Sequence, residues 1–294
     1  VIVCRTKAEL KLQLSSLRKQ NKSIGFVPTM GFLHEGHASL LRQAHNENDA
    51  VVLSIFVNPL QFGPNEDLDR YPRDEKRDLM LAEECGTHLV FMPSVDEMYP
   101  NKPLTSVIVS QVTDRLCGAS RPGHFDGVGT VVSKLFHLAQ PDRAYFGMKD
   151  AQQVAVIKQM VNDLNFHVEI VACPIVREPD GLALSSRNLY LTPEQRVQAV
   201  LLSRSLRQAE EQLTEQGMTS ARLEAIVKDA INEADEAVID YVELLQFPSL
   251  QPIDAAALLS TYKEPLLLAV AVKFGATRLI DNRIIQATEV NSYV

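Results

Sequence analysis

The sequence lacks most of the features that would set it apart from ordinary globular proteins. Cysteine occurs four times in 294 residues, at Cys4, Cys85, Cys117 and Cys173. The four are widely spaced and no C-x-x-C pair occurs, which argues against a disulfide framework and a cysteine zinc site. They read as reduced thiols, and a cytoplasmic location is expected. Positive charge is in deficit: 29 basic residues face 37 acidic ones, for a formal charge of −8 and a pI near 5.4. A broad nucleic-acid footprint needs a basic face, so no nucleic-acid partner is expected. A nucleotide pocket is still open, since a few local cations suffice. The longest apolar run, "PLLLAVAV", is closed by Lys273 and is far too short to span a bilayer, so no membrane partner is expected. The opening "VIVCRTKAEL" has too little apolar length for a signal peptide. Repeats and low-complexity tracts are missing as well.

What is present is an ordinary core-forming composition, 46% hydrophobic and 22% charged. "SIGFVPT" reads as a strand, Ala38 to Asn48 as a helix, and "AVVLSIFV" as a fully buried strand, together one βαβ unit. The pattern continues with a helix from Arg73 to Cys85 and a strand at "HLVFMP". A helix at "GVGTVVSKLFHLAQ", a strand at "RAYFG", a helix at "AQQVAVIKQMVNDL" and a strand at "VEIVACPIV" follow. Such alternation predicts a doubly wound, Rossmann-like parallel sheet, with ligands at the carboxyl ends of its strands. Near Asn188 the style changes. "TPEQ" is a capping-box start with proline at the first helical position. Two helical patterns and three strands, "VIDYVELL", "EPLLLAVAVKF" and "TRLIDNRII", then follow. The expected division is residues 1–187 as the Rossmann-like domain and 188–294 as a smaller α+β domain.

Chemistry-bearing residues gather where predicted strands end. In "PTMGFLHEGH", His34 and His37 flank Glu35 and Gly36 at a strand-to-helix junction. Two histidines taken alone are more often a structural pair. Metal binding is a poor fit, because the helical zinc signature needs four-residue spacing and no third ligand is evident. A helix N-terminus with nearby glycines favours an anion instead, and imidazole N–H donors suit a triphosphate. Asn58 and Gln61 follow the next strand, as neutral amides able to hold hydroxyls or a carboxylate, or as a polar turn after Pro59. "FGMKDAQQ" places Lys149 as a phosphate-neutralising point charge and Asp150 as a helix cap or a ribose acceptor. "LALSSRN" adds Ser185, Ser186 and Arg187, suited to terminal phosphates. "RPGHFDG" offers Arg121 and His124, or a solvated turn. Together these segments point to a nucleotide site.

The H-E-G-H element resembles the H-x-G-H signature of the nucleotidyltransferase superfamily. The fuller ordered set, "PTMGFLHEGH", "FVNPLQF", "RPGHFDGV", "FGMKDAQQ", "LALSSRN" and "TRLIDN", resembles the pantothenate synthetase (pantoate–β-alanine ligase) family over essentially the whole chain. Phe32, Glu35, Met148 and Ala151 fill variable places of those motifs.

The resemblance implies a homodimeric enzyme with the smaller domain closing over the larger. It implies ATP and Mg²⁺ as requirements, and condensation of pantoate with β-alanine through a pantoyl-adenylate. By that resemblance His37, His34, Lys149 and Arg187 are catalytic. ATP is held by Met30, Gly31, Phe32, Leu33, His34, Glu35, Gly36 and His37, by Gly147, Met148, Lys149 and Asp150, and by Val176, Leu184, Ser185, Ser186 and Arg187. Gln61 serves pantoate and β-alanine, Gln153 serves pantoate, Asn58, Pro28 and Met30 line the substrate, and Asp78 matches a position linked to Mg²⁺. The competing readings are a nucleotidyltransferase acting on another small substrate, which would need no amine, and a non-catalytic ATP-binding module. A tRNA synthetase fragment is disfavoured by the acidic balance.

Overall fold

In a computed structural model of the chain, residues 1–64, 66–213 and 215–286 are described. The chain forms two compact units. One comprises Val1–Ser110, Arg121–Met148 and Val156–Val176; the other comprises Gln111–Ser120, Lys149–Ala155 and the chain from Arg177 onward.

The first unit is built on six parallel strands: β1 (Ile2–Cys4), β2 (Ile24–Thr29), β3 (Ala50–Ile55), β4 (Leu89–Phe91), β5 (Arg143–Gly147) and β6 (Glu169–Cys173). Their order is β1-β4-β3-β2-β5-β6. Successive connections run outward from β2 on one side and from β5 on the other, so the topological switch lies between these two strands. The helices of this part of the chain are α1 (Lys7–Lys19), α2 (Glu35–Glu47), α3 (Glu75–Glu84), α4 (Val95–Met98), α5 (Leu116–Ser120), α6 (His124–Ala139) and α7 (Ala151–Leu164). Both sheet faces are covered, which explains the unbroken apolar runs of β2 and β3. Val27, Leu41, Ala44, Val51, Leu53, Ala82 and Val90 form one layer with α2 and α3. Alternate side chains face the other way, where the ring of Phe26 meets that of Phe136 on α6 edge to face, centroids 6.4 Å apart. Each large apolar side chain so buried contributes about 1.5–3 kcal/mol.

Several boundaries and elements differ from the sequence expectation. The second helix starts at Glu35, not Ala38, because His34 acts as its N-cap. Histidine is not among the usual capping residues, so the start carried no ordinary signal. The sixth helix starts at His124, ahead of "GVGT". An N-terminal strand and α1 were not foreseen, although Thr6 and Glu9 form a capping box there.

The second unit carries the antiparallel sheet β7-β8-β9: β7 (Ala237–Gln246), β8 (Leu266–Phe274) and β9 (Thr277–Ile285). It also contains α8 (Pro193–Ala199), α9 (Leu201–Gln212) and α10 (Ser220–Ile231). Thr192 and Gln195 form the expected capping box at α8. Leu202, Leu206 and Ala209 of α9 and Leu223, Val227 and Ile231 of α10 pack with Leu266, Leu268, Val270 and Val272 of β8. Among the described residues no helix is long and apolar enough to cross a membrane.

Candidate active site

The histidine loop follows β2, at the carboxyl edge beside the switch point. Gly31 has φ +87° and Phe32 φ +50°, two left-handed residues in a row. At Gly31 a Cβ would lie 2.8 Å from Ile55 Cγ2 and 3.1 Å from Asp78 Oδ2, so glycine is required by space as well as by conformation. The Gly36 N–H donates to His34 Nδ1 at 3.1 Å, and the His34 N–H reaches His37 Nδ1 at 3.3 Å. The two rings lie 4.1 Å apart between centroids. With Nδ1 accepting in each ring, the neutral imidazoles carry their proton on Nε2. The loop thus sets both tautomers and gives each ring one Nε2–H donor. Glu35, on the exposed side of α2, pairs with Arg42.

Asn58 and Gln61 are no solvated turn. They bracket a single 3₁₀ turn, Pro59–Gln61, and are 1% and 9% exposed. The Tyr99 hydroxyl donates to Asn58 Oδ1 at 2.9 Å, and the Leu60 N–H donates to the same oxygen at 3.3 Å. Burial pushes the Tyr99 pKa up to about 12, so the hydroxyl is a donor at all working pH. Asn58 Nδ2 is thereby directed to Gln61 Oε1 at 3.2 Å and to the Gly127 carbonyl at 3.1 Å. Gln61 in turn presents its NH₂, which lies 3.1 Å from Met30 Sδ. This relay fixes Gln61 as a donor amide, the polarity needed for a carboxylate or hydroxyl oxygen. Pro28, half-buried, pairs in register with Ser54 at the end of β2.

The Gln61 main chain is also held. His124 Nδ1 donates to its carbonyl at 2.8 Å, and Arg121 grips Glu66 through two contacts of 2.6 Å. The Glu66 carboxyl is pushed up by burial, yet its bonds and charge contact with Arg121 prevail and hold it below the usual range. α6 approaches this turn so closely that a Cβ on Gly127 would lie 2.4 Å from the Leu60 carbonyl oxygen. Sequence reading noticed Arg121 and His124 without fixing their role, and missed Tyr99 and Glu66. Tyr99 lies 41 residues from Asn58 and Glu66 lies 55 from Arg121, so no local pattern marks them.

In the second unit, Lys149 and Asp150 lie in the 3₁₀ turn Met148–Asp150 that leads into α7. The Lys149 carbonyl accepts from Asn282 Nδ2 at 2.9 Å, and the neighbouring Asp281 pairs with Arg177, next to Val176. The late "TRLIDN" element of β9 therefore anchors two of the segments singled out in the sequence. Ser185 caps the turn Ser186–Tyr190 by accepting from the Arg187 N–H at 3.2 Å. Ser186 is buried, while Leu184 and Arg187 are half-buried. Gln153 is half-buried on the first turn of α7, beside Gln152, whose amide donates to the Val112 and Arg115 carbonyls.

Asp78 does not fit a magnesium ligand. It is 2% exposed, and its two oxygens accept from the Phe32 and Leu33 N–H groups at 2.8 and 2.7 Å. Mg²⁺ keeps several waters and favours open, solvated carboxylates, whereas this one is buried and turned onto the backbone. No group of three or more His, Cys, Asp or Glu able to hold a metal occurs among the described residues.

Comparison with known proteins agrees with the ordered motifs. The pantoate–β-alanine ligase family model matches residues 2–284. A pantothenate synthetase of Acetivibrio thermocellus is 55% identical over 285 residues, 97% of this chain and 99% of that protein. The crystal structure of the pantothenate synthetase of Thermus thermophilus is 46% identical and superposes with a TM-score of 0.89, covering 96% of this chain and 99% of that one. The Francisella tularensis pantoate–β-alanine ligase, solved with β,γ-ATP and β-alanine, is 35% identical with a TM-score of 0.78 over 97% of each chain. The chain therefore belongs to the pantoate–β-alanine ligase family, the ATP-dependent carbon–nitrogen ligases that condense pantoate with β-alanine.

Proposed function

We propose that the histidine loop receives the α-phosphate of ATP and that Gln61 holds the acid which attacks it. A carboxylate is a poor electrophile and must be activated before an amine can displace at its carbon. One pantoate carboxylate oxygen bonds to the α-phosphorus while the bond to the bridging oxygen breaks and pyrophosphate leaves. Charge builds on the α-phosphoryl and bridging oxygens, and donors fixed in advance lower the barrier. The Nε2–H groups of His34 and His37 and the N-terminus of α2 are such donors in the first unit; we assign Lys149, Ser185, Ser186 and Arg187 to the phosphates from the second. The β-alanine amine then attacks the activated carbonyl, AMP departs, and a proton is released from the new amide nitrogen. Met30 to His37, Gly147 to Asp150, Val176 and Leu184 are assigned to ATP, and Asn58, Pro28, Met30 and Gln153 to substrate. No step is routed through magnesium.

The observation that carries the assignment is the relay from Tyr99 through Asn58 to Gln61, which sets a donor amide against Met30 of the same loop. Exchange of labelled pyrophosphate into ATP tests it. The exchange is expected only with pantoate, and AMP only when β-alanine is added; pantoate-independent exchange would refute the order of steps. The proposal includes a cytoplasmic location, supported by four unpaired buried cysteines. It also includes a homodimer, supported by Leu104 and Ile108, 98% and 66% exposed, and checked by light scattering.

A further inference from the structure

We propose that Asp78 is a positioning residue for the histidine loop, its carboxylate holding the left-handed Gly31–Phe32 turn in the shape that sets His34 and His37. The turn is unfavourable by itself: a side-chain-bearing residue is strained at positive φ, and Phe32 is such a residue. Something must hold it there. The N–H groups of Phe32 and Leu33 are consecutive, and in this turn they converge on one point. That point is occupied by Asp78, at 2.8 Å through Oδ2 and 2.7 Å through Oδ1. Hydrogen bonds to an ionised acceptor are about twice as strong as neutral ones, which suits a carboxylate to hold the turn.

A second contact from α3 acts on the same residue. The Arg77 guanidinium sits 4.8 Å from the centroid of the Phe32 ring. Leu33, next in the chain, is fully buried in the layer shared by α2 and α3. Everything after Leu33 inherits this placement, because His34 caps α2 and His37 returns the bond to the His34 N–H. The carboxylate thus does for the backbone what an anion does in a nest of amides, and it is spent on the protein itself. Burial raises the Asp78 pKa, partly countered by the bonds from Leu33 and Phe32; the group is buried for a structural task.

The inference rests on the assignment of ATP to this loop, and its test separates the two. Amide hydrogen exchange on the metal-free, full-length enzyme should show slow exchange at Phe32 and Leu33. Fast exchange at both amides that slows only on adding Mg²⁺ would overturn the proposal in favour of metal binding. In Asp78→Asn, the isosteric amide turns a donor toward one of the two N–H groups. Exchange at those positions should rise, with α2 and α3 otherwise unchanged. The kcat of pantoate-dependent pyrophosphate exchange should fall roughly 10²-fold, the loss typical of a misplacement near 1 Å. The Mg²⁺ concentration giving half-maximal rate should stay at the wild-type value. Wild-type kcat in Asp78→Asn, or kcat restored by raising Mg²⁺, would sink the proposal. Absence of pyrophosphate exchange in the wild type would instead remove the ATP assignment and leave the amide result standing.

Discussion

Arg177 and Asp281 form a two-point ion pair, with Nη1 donating to Oδ2 at 2.6 Å and Nη2 to Oδ1 at 2.9 Å, and the Asp281 side chain is 1% exposed. Asp281 also accepts from the Asn282 N–H at 2.8 Å, so one carboxylate secures both the arginine and the residue that holds the Lys149 carbonyl. The Asp281 carboxylate is buried, while the Arg177 side chain is 25% exposed and keeps its bond to the Gly181 carbonyl, so the loss is that of charge-assisted hydrogen bonds and not of a fully buried pair. Asp281→Ala should therefore lower the free energy of urea unfolding by about 2 kcal/mol. A loss near zero would mean that the pair contributes no more than a surface contact.

His37→Ala removes a fixed donor. Adenylation is expected to slow roughly 10²–10³-fold, as for loss of one transition-state hydrogen bond. Pantoate-dependent pyrophosphate exchange measures this directly, and a near-wild-type rate would take His37 out of the chemistry.

Tyr99→Phe tests the amide relay at a distance. It deletes one hydrogen bond worth about 1 kcal/mol, which corresponds to roughly a fivefold rise in the pantoate KM. The KM for ATP should not move. Gln61→Ala should impair pantoate use far more, again with ATP affinity kept. Equal effects on both substrates would show that the relay supports the fold and not the acid site.

Glu66 predicts a pH dependence. Its folded pKa lies below its unfolded value because the Arg121 contacts outweigh burial. The stability it contributes is therefore present above the unfolded carboxylate pKa, about 4.3, and is lost as pH falls through the depressed folded value. Glu66→Gln should have a lower urea midpoint than the wild type at about pH 7, and the gap should narrow below about pH 4. A gap independent of pH would show that the pair contributes packing alone.

Much of the architecture was legible from local pattern. The unbroken apolar run of β3 and the alternation around it specified a sheet covered on both faces, and the "TPEQ" cap marked α8. The histidine cap of α2 was not legible, because His34 satisfies the helix start through ring nitrogens set by His37. "RPGHFDG" reads equally well as a solvated turn or a cation site. Its actual task, holding the Gln61 carbonyl, depends on partners far away in the chain. By resemblance Asp78 reads as a metal position, and only the direction of its oxygens shows the backbone amides they serve.

The sequence by itself determined the fold class and the family, since periodicity and ordered motifs are properties of neighbouring residues. The tertiary structure alone decided which way Gln61 turns its amide and what Asp78 holds. Hydrogen bonds are directional, and the decisive partners are distant in the chain: Tyr99, which turns the Asn58 amide toward Gln61, lies 41 residues from Asn58, and Leu33 lies 45 from Asp78.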